Sequence, residues 1–209
     1  MTTFIAVRHG FSEYNKSRRF SGQLDIPLTD EGRAQAALAC AYILENHHFD
    51  AICSSDLSRA VDTVQALSDA TGLPIIKLSS LREIFIGDWQ GRFFDELRTT
   101  DAELYATYRA NPDTFTFPNG ESMKQVDTRV MTALDCIAAH HDGDTVVLGT
   151  HGGFTRTILA LALGASRKDV PNVSNCSTTV FTYDHGKITL LLTGYDAYIT
   201  DIPAKTPDY

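Results

Sequence analysis

Residues 3–10, Thr-Phe-Ile-Ala-Val-Arg-His-Gly, and residues 145–153, Thr-Val-Val-Leu-Gly-Thr-His-Gly-Gly, decide the fold predicted for this chain. Each stretch begins with a short apolar run, which is typical of a buried strand, and ends in His-Gly. In open α/β sheets, ligands bind where the carboxyl ends of parallel strands meet the helices that follow them. The two stretches therefore predict two parallel strands whose ends share one polar site.

Strand-like and helix-like segments alternate along the rest of the chain. The predicted elements are, in order, a strand at 3–7, a helix at 29–46, a strand at 50–54, a helix at 56–70, a strand at 75–78, a helix at about 93–109, a helix at 122–140, a strand at 145–148, a helix ending near Gly164, and strands at 178–183 and 188–193. Strands separated by helices indicate a mainly parallel sheet with helices on both faces, which is a three-layer α/β/α sandwich. The turn Asp184-His185-Gly186 joins the last two strands into a hairpin that adds an antiparallel edge.

The chain of 209 residues is predicted to form a single domain, because no linker, repeat or low-complexity segment interrupts it. Residues 81–118 are less regular and rich in aromatic side chains, and we expect them to form a small cap-like insertion over the active site. The tail after Asp201 contains two prolines and is expected to be loosely held.

Composition and charge exclude several classes of protein. With 43% apolar and 21% charged residues, the chain is not globally disordered, and no apolar run reaches the ~20 residues of a membrane-spanning helix. A net charge of -8 without a basic run argues against nucleic-acid binding. The widely spaced Cys40, Cys53, Cys136 and Cys176 are expected to be buried free thiols of a reducing compartment. We therefore expect a cytoplasmic protein with neither a nucleic-acid nor a membrane partner.

The candidate site combines two histidines with two arginines. Arg8 and His9 follow the first strand, Arg59 begins the helix after the strand at 50–54, and His151 follows the strand at 145–148. Two guanidinium groups with helix N-termini suit a phosphate group. A pair of histidines can also hold a metal, but a cation beside two arginines is electrostatically unfavourable, so we expect no metal.

Six ordered motifs identify the family that the chain resembles. They are Arg8-His9-Gly10 with Asn15; Ser21-Gly22 through Asp25-Ile26-Pro27-Leu28-Thr29 with Gly32; Ser54-Ser55-Asp56-Leu57-Ser58-Arg59-Ala60; Glu83 ahead of Gly87-Asp88-Trp89-Gln90-Gly91; Pro118-Asn119-Gly120-Glu121-Ser122; and His151-Gly152-Gly153. In this order they resemble the histidine phosphatase superfamily, the phosphoglycerate mutase-like group. Phe11 departs from the pattern, since relatives often carry Glu or Gln there.

The resemblance implies a phosphoglycerate mutase-like fold and a mechanism through a phosphohistidine. His9 would be the nucleophile, and Glu83 would protonate the leaving alkoxide and later activate water. Arg8, Arg59 and His151 would hold the phosphoryl oxygens as part of the catalytic set. The implied substrate-binding residues are Arg8, Asn15, Gly22, Arg59, His151 and Gly152. No metal or organic cofactor is implied.

Three functions remain compatible with these residues: a phosphatase of small phosphomonoesters, a cofactor-dependent phosphoglycerate mutase, and a non-catalytic module that binds a phosphorylated partner. Mutases of the superfamily carry a basic insertion after the catalytic Glu, whereas residues 84–91 here are largely apolar and resemble the phosphatase branch. We therefore predict a phosphatase that acts on a small phosphorylated metabolite, whose identity stays open. Two arrangements of the terminal hairpin stay open: its edge strand is exposed and pairs two copies as a homodimer, or the tail of the chain covers it.

Overall fold

The computed structural model describes residues 1–199 and confirms the predicted α/β architecture. Within this range, six strands form one sheet in the order β3-β2-β4-β1-β5-β6. The strands β1, β2, β3 and β4 pair in parallel, and β5 and β6 add an antiparallel edge beside β1. The elements run as follows: β1 (Thr2–Arg8), α1 (Glu13–Lys16), α2 (Asp30–Asn46), β2 (Ala51–Ser54), α3 (Ser58–Thr71), β3 (Ile75–Lys77), α4 (Phe94–Thr100), α5 (Ala102–Ala110), α6 (Met123–His140), β4 (Thr145–Thr150), α7 (Gly152–Leu163), β5 (Thr178–Asp184) and β6 (Lys187–Tyr195).

Alternation of side chains along β1 divides the core into two layers. Phe4 and Ala6 belong to one cluster with side chains of α6 and α7, whereas Ile5 and Val7 belong to a second cluster with α2 and α3. Successive side chains of a strand point to opposite faces, so a strand buried on both faces must be apolar throughout. Helices therefore cover both faces of the sheet, as the continuous apolar run at 3–7 predicts.

The register of the central strands brings the predicted site together. Arg8, the last residue of β1, lies opposite Thr150, the last residue of β4. On the other side of β4, Ser54 at the end of β2 lies opposite Gly149. The residues that follow these three strands therefore lie together at the carboxyl ends of the parallel strands.

Two local predictions were wrong. The helix predicted at about 93–109 is two helices, α4 and α5, because Asp101 leaves the helical conformation (φ −125°, ψ 37°) and its carboxylate accepts a hydrogen bond from Thr100. Short polar side chains that bond to the local backbone or to each other compete with helix propagation. The loop before α2 contains an unpredicted short helix, α1, closed by a capping box between Ser12 and Asn15.

The cysteines only partly follow the expectation. Cys40, Cys53 and Cys176 are buried free thiols, but Cys136, a free thiol on α6, is exposed. The expectation for the tail after Asp201 lies outside the described residues. Within residues 1–199, none of the helices is both long and apolar enough to cross a membrane.

Candidate active site

His9 and His151 lie side by side at the centre of the site. They follow the paired ends of β1 and β4, and their ring centroids are 5.2 Å apart. Both side chains are buried. Because the backbone register alone fixes this pairing, the two His-Gly motifs meet as the sequence predicts.

A hydrogen bond within the chain fixes which ring nitrogen of His9 carries the proton. Nδ1 lies 2.7 Å from the carbonyl oxygen of Gly10, and since a carbonyl can only accept, Nδ1 carries the proton. The lone pair of the neutral ring is then on Nε2. Burial, with the charges of Arg59 and Arg8, holds the pKa of His9 well below its ordinary 6.5. His9 is therefore a free base at neutral pH, which is the form a nucleophile requires.

The two arginines are anchored by backbone carbonyls. Arg59, on the first turn of α3, donates to the carbonyls of Leu24 at 2.7 Å and Gly22 at 2.8 Å. Arg8 donates to the carbonyl of Val173. Burial lowers the pKa of Arg59 to about 10, so it stays charged at neutral pH. Both guanidinium groups are thus held in fixed orientations, and neither forms an ion pair with a carboxylate of residues 1–199, although the charges of Glu83 and Asp25 act on Arg59.

Several buried nitrogens around His9 have no hydrogen-bond partner among the described residues. They are Nε of Arg8, Nε of Arg59, and both ring nitrogens of His151. Buried polar atoms are nearly always satisfied, so a cluster of unsatisfied ones needs a particular explanation. The arginine nitrogens can only donate, and with two positive charges beside them they suit an anion rather than a cation.

Glu83 lies on the segment between β3 and α4 and contacts the loop of the second His-Gly motif. One carboxylate oxygen accepts from the backbone N–H of Gly153 at 3.0 Å, and the other accepts from the N–H of Ile84 at 2.9 Å. A Cβ atom at Gly153 would lie 2.3 Å from Glu83 Oε1. A side chain at Gly153 would therefore displace the Glu83 carboxylate from this position.

The predicted binding residues Asn15, Gly22 and Gly152 lie near the same centre but differ in their contacts. Gly152 packs on Arg8, where an added Cβ would be 3.2 Å from the guanidinium carbon. The carbonyl of Gly22 orients Arg59, and its φ of +50° favours glycine. Asn15 is buried, and its side-chain oxygen accepts from Ser12 in the cap of α1.

Two supporting groups were not found by sequence reasoning. Asn175 donates to the carbonyls of His9 at 2.8 Å and Gly10 at 3.2 Å, which fixes the backbone of the Arg-His-Gly turn. Arg129 on α6 forms an ion pair with Glu121 and donates to the carbonyls of Ser80 and Arg82. No local sequence pattern marks either residue, because each donates hydrogen bonds to backbone carbonyls of residues that are distant in the sequence.

The sheet is covered by helices on both faces, and a site that combines histidines with arginines suited to an anion lies at the carboxyl ends of its parallel strands. These two features define the general class of this protein. The family model of the histidine phosphatase superfamily (branch 1) matches residues 4–196. The chain therefore belongs to the histidine phosphatase superfamily, which confirms the resemblance of its motifs.

Individual relatives cover most of the chain. A glucosyl-3-phosphoglycerate phosphatase of Mycolicibacterium vanbaalenii is 38% identical over 169 residues, covering 77% of this chain and 73% of that protein. A metal-independent phosphoserine phosphatase of Arabidopsis thaliana is 32% identical over 160 residues, covering 76% of this chain and 67% of that protein. Among solved structures, Bacillus stearothermophilus YhfR superposes with a TM-score of 0.88 at 31% identity, covering 95% of this chain and 100% of YhfR.

Proposed function

We propose that this chain is a metal-independent phosphatase that hydrolyses small phosphomonoesters through a phosphohistidine intermediate. The observation that carries the proposal is the neutral imidazole of His9, whose Nε2 is the free base beside unsatisfied nitrogens of Arg8, Arg59 and His151. Support also comes from the relatives, one named a metal-independent phosphoserine phosphatase and another a glucosyl-3-phosphoglycerate phosphatase.

In the first step, Nε2 of His9 attacks phosphorus and the bond between phosphorus and the ester oxygen breaks. The leaving oxygen takes a proton from the acid form of Glu83, and the electron pair of the broken bond stays on that oxygen. Arg8 and Arg59 neutralise the charge on the transferring phosphoryl oxygens, and His151 contributes a ring N–H. Since the two guanidinium groups are anchored before the substrate arrives, little reorganisation of them is needed during the reaction.

In the second step, water attacks phosphorus and the P–N bond breaks, so that the electron pair returns to Nε2. Glu83, now a carboxylate, accepts the proton of the attacking water. Asn15, Gly22 and Gly152 complete the binding site, with Gly22 acting through Arg59. Residues 81–118 serve as the cap that carries Glu83 to the site.

The same proposal places the enzyme in the cytoplasm, where a reducing environment keeps Cys40, Cys53, Cys136 and Cys176 as free thiols. Its partner is a small phosphorylated metabolite. The sheet edge β6, with Leu191 exposed, is the surface through which two copies would pair as a homodimer.

Phosphate release from p-nitrophenyl phosphate and 3-phosphoglycerate, measured with EDTA present, tests the proposal. We expect release by the wild type and none above background by His9→Ala. Conversion of 3-phosphoglycerate to its isomer with a bisphosphate primer, without phosphate release, would instead establish a mutase. Loss of activity in EDTA that a divalent metal restores would overturn the metal-independent mechanism.

A further inference from the structure

The loop at residues 173–177, between α7 and β5, holds the turn that carries Arg8 and His9. The backbone N–H of Cys176 donates to the carbonyl of Arg8 at 2.9 Å and to the carbonyl of His9 at 3.3 Å. The carbonyl of His9 also accepts from the side chain of Asn175 at 2.8 Å. The position of the proposed nucleophile therefore depends on the conformation of this loop.

Cys176 has a backbone conformation that its side chain disfavours. Its φ is +57°, in the left-handed region that glycine enters freely and residues with a Cβ atom enter at a cost. A residue stays in such a conformation only when its surroundings hold it there. Relaxation of this φ would rotate the peptide group that contains the N–H of Cys176 relative to the peptide group that contains its carbonyl. The hydrogen bonds to Arg8 and His9 therefore require that Cys176 is held in the left-handed conformation.

The hydroxyl of Tyr198 binds the carbonyl of Cys176. Tyr198 lies in the segment 196–199, which follows β6, and its hydroxyl donates to that carbonyl at 2.5 Å. Because this bond uses the only proton of the hydroxyl, the side chain of Thr178, whose oxygen is 2.8 Å away, must donate to the oxygen of Tyr198. Burial raises the pKa of Tyr198, so the phenol keeps the proton that the bond to Cys176 needs.

The ring of Tyr198 is held by packing that does not involve its hydroxyl. It stacks on Tyr42 of α2 with ring centroids 4.8 Å apart, and its centroid is 5.7 Å from that of Tyr195 on β6. The ring also packs against the core cluster that includes side chains of α2 and α3. A phenylalanine at this position would therefore keep the packing and lose only the two hydrogen bonds.

We propose that Tyr198 is a positioning residue of the active site, which acts on His9 through the carbonyl of Cys176. Its hydroxyl holds Cys176 in the left-handed conformation, and the N–H of Cys176 in turn holds the backbone that carries the nucleophile. The inference rests on the phosphatase function proposed above and adds to it a residue from the other end of the described chain. Tyr198 has no place among the reacting groups, so its effect on the reaction passes through the loop at 173–177.

Replacing Tyr198 by Phe tests the role of the hydroxyl. We expect kcat/KM for p-nitrophenyl phosphate to fall about tenfold, because a small displacement of a nucleophile costs rate. This ester is chosen because its leaving group needs no proton, so the rate reports attack by His9. The matched control is Tyr42→Phe, which removes a hydroxyl from the same ring stack and should stay within about twofold of the wild type, since that hydroxyl has no hydrogen bond within residues 1–199.

The conformation of Cys176 supplies a second test, which a general loss of stability would not pass. Glycine adopts the left-handed conformation without strain, so adding Tyr198→Phe to Cys176→Gly should lower kcat/KM by less than about threefold. Cys176→Ala removes the same thiol but keeps the Cβ atom, so Tyr198→Phe should still cost about tenfold in that background. Equal losses in the glycine and alanine backgrounds, or no loss from Tyr198→Phe in the wild type, would overturn the inference.

Amide hydrogen exchange, followed by NMR without substrate, separates this inference from the proposed function. The N–H of Cys176 should exchange at least about tenfold faster in Tyr198→Phe than in the wild type, while the N–H of Val147, in the central strand β4, should stay within about twofold. This result would support the hold of Tyr198 on the loop even if the wild type released no phosphate, which would overturn only the proposed function. Unchanged exchange at Cys176 would overturn the inference by itself.

Discussion

At the scale of single residues, the two central histidines differ in one contact that separates their roles. Both are buried, and the pKa of each lies well below its ordinary value, chiefly because of burial and the charge of Arg59. His9 donates through Nδ1 to the carbonyl of Gly10, so the lone pair of its neutral ring lies on Nε2. In contrast, neither ring nitrogen of His151 has a partner among the described residues. In the proposed mechanism, this difference suits His9 to be the nucleophile and leaves His151 able to turn an N–H towards a phosphoryl oxygen.

Replacing Glu83 by Gln should separate the two steps of the reaction. Gln keeps one oxygen for the N–H of Gly153 but neither donates a proton to the leaving oxygen nor accepts one from water. For an alkyl phosphate, we expect kcat/KM to fall by about 10²–10⁴. For p-nitrophenyl phosphate, kcat/KM should fall much less, because p-nitrophenolate leaves without protonation. Stopped-flow absorbance should then show a burst of p-nitrophenolate followed by slow turnover.

Glu103→Gln, at an exposed position on α5, is the matched control and should leave both substrates unaffected. Equal losses of kcat/KM for the alkyl and the p-nitrophenyl ester, with no burst, would show that Glu83 is not the acid-base group.

At the scale of elements, the segment that carries Glu83 is fastened to α6. Arg129 donates to the carbonyls of Ser80, Arg82 and Glu83 and pairs with the Glu121 carboxylate. The same carboxylate accepts from the N–H of Phe85 at 2.7 Å. The Arg129–Glu121 ion pair thus holds the backbone before and after Glu83, and neither of its residues has a place in the proposed reaction.

Replacing Arg129 by Lys should therefore reduce kcat more than it affects the binding of phosphate. An ammonium group has fewer donors than a guanidinium and no planar fork, so it cannot reach all of these carbonyls and the Glu121 carboxylate together. We expect kcat to fall about tenfold, because misplaced catalytic groups lose rate, while the inhibition constant of inorganic phosphate stays within about twofold. Steady-state kinetics with phosphate as the inhibitor measures both.

A purely structural role for Arg129 would raise the inhibition constant of phosphate along with the loss of kcat, or would lower the melting temperature with no change in either. Arg98→Lys, in an exposed ion pair on α4, is the control and should behave as the wild type.

The helices and strands also show which parts of the structure can be predicted from the sequence. Apolar runs and His-Gly junctions predict β1, β4 and the pairing of His9 with His151, because parallel register follows from local pattern and sheet rules. The break at Asp101 depends on side-chain bonds within a single turn, and a helical pattern runs across it. Arg129 of α6 donates to the carbonyls of Ser80 and Arg82, and nothing in either segment alone marks such a contact.

At the scale of the whole molecule, the fold encloses a positive site in a protein of net charge -8. The lowered pKa values of His9 and His151 leave both rings neutral, and the positive field on them comes from Arg8 and Arg59, with Arg129 also acting on His151. Keeping two imidazoles neutral inside the protein has a consequence for stability, because the unfolded chain protonates the same two rings near pH 6.5.

A folded state whose histidine pKa values are depressed binds fewer protons than the unfolded state at acidic pH. The contribution of the two neutral histidines to the free energy of unfolding is therefore complete above about pH 6.5. This contribution is lost as the pH falls from about 6.5 towards the pKa values of the histidines in the folded state. Each buried histidine contributes a slope that approaches about 1.4 kcal/mol per pH unit. Denaturant titrations without phosphate, between pH 7.5 and 5.5, should show this loss before most carboxylates titrate.

The double variant His9→Gln/His151→Gln should flatten the dependence by nearly the sum of the two slopes. His47, whose pKa burial also lowers, remains in the variant and leaves a smaller residual slope. An unchanged slope in the double variant would mean that the pKa values of the two site histidines are not depressed in the folded enzyme, which would contradict the effect of burial and of Arg59 argued here.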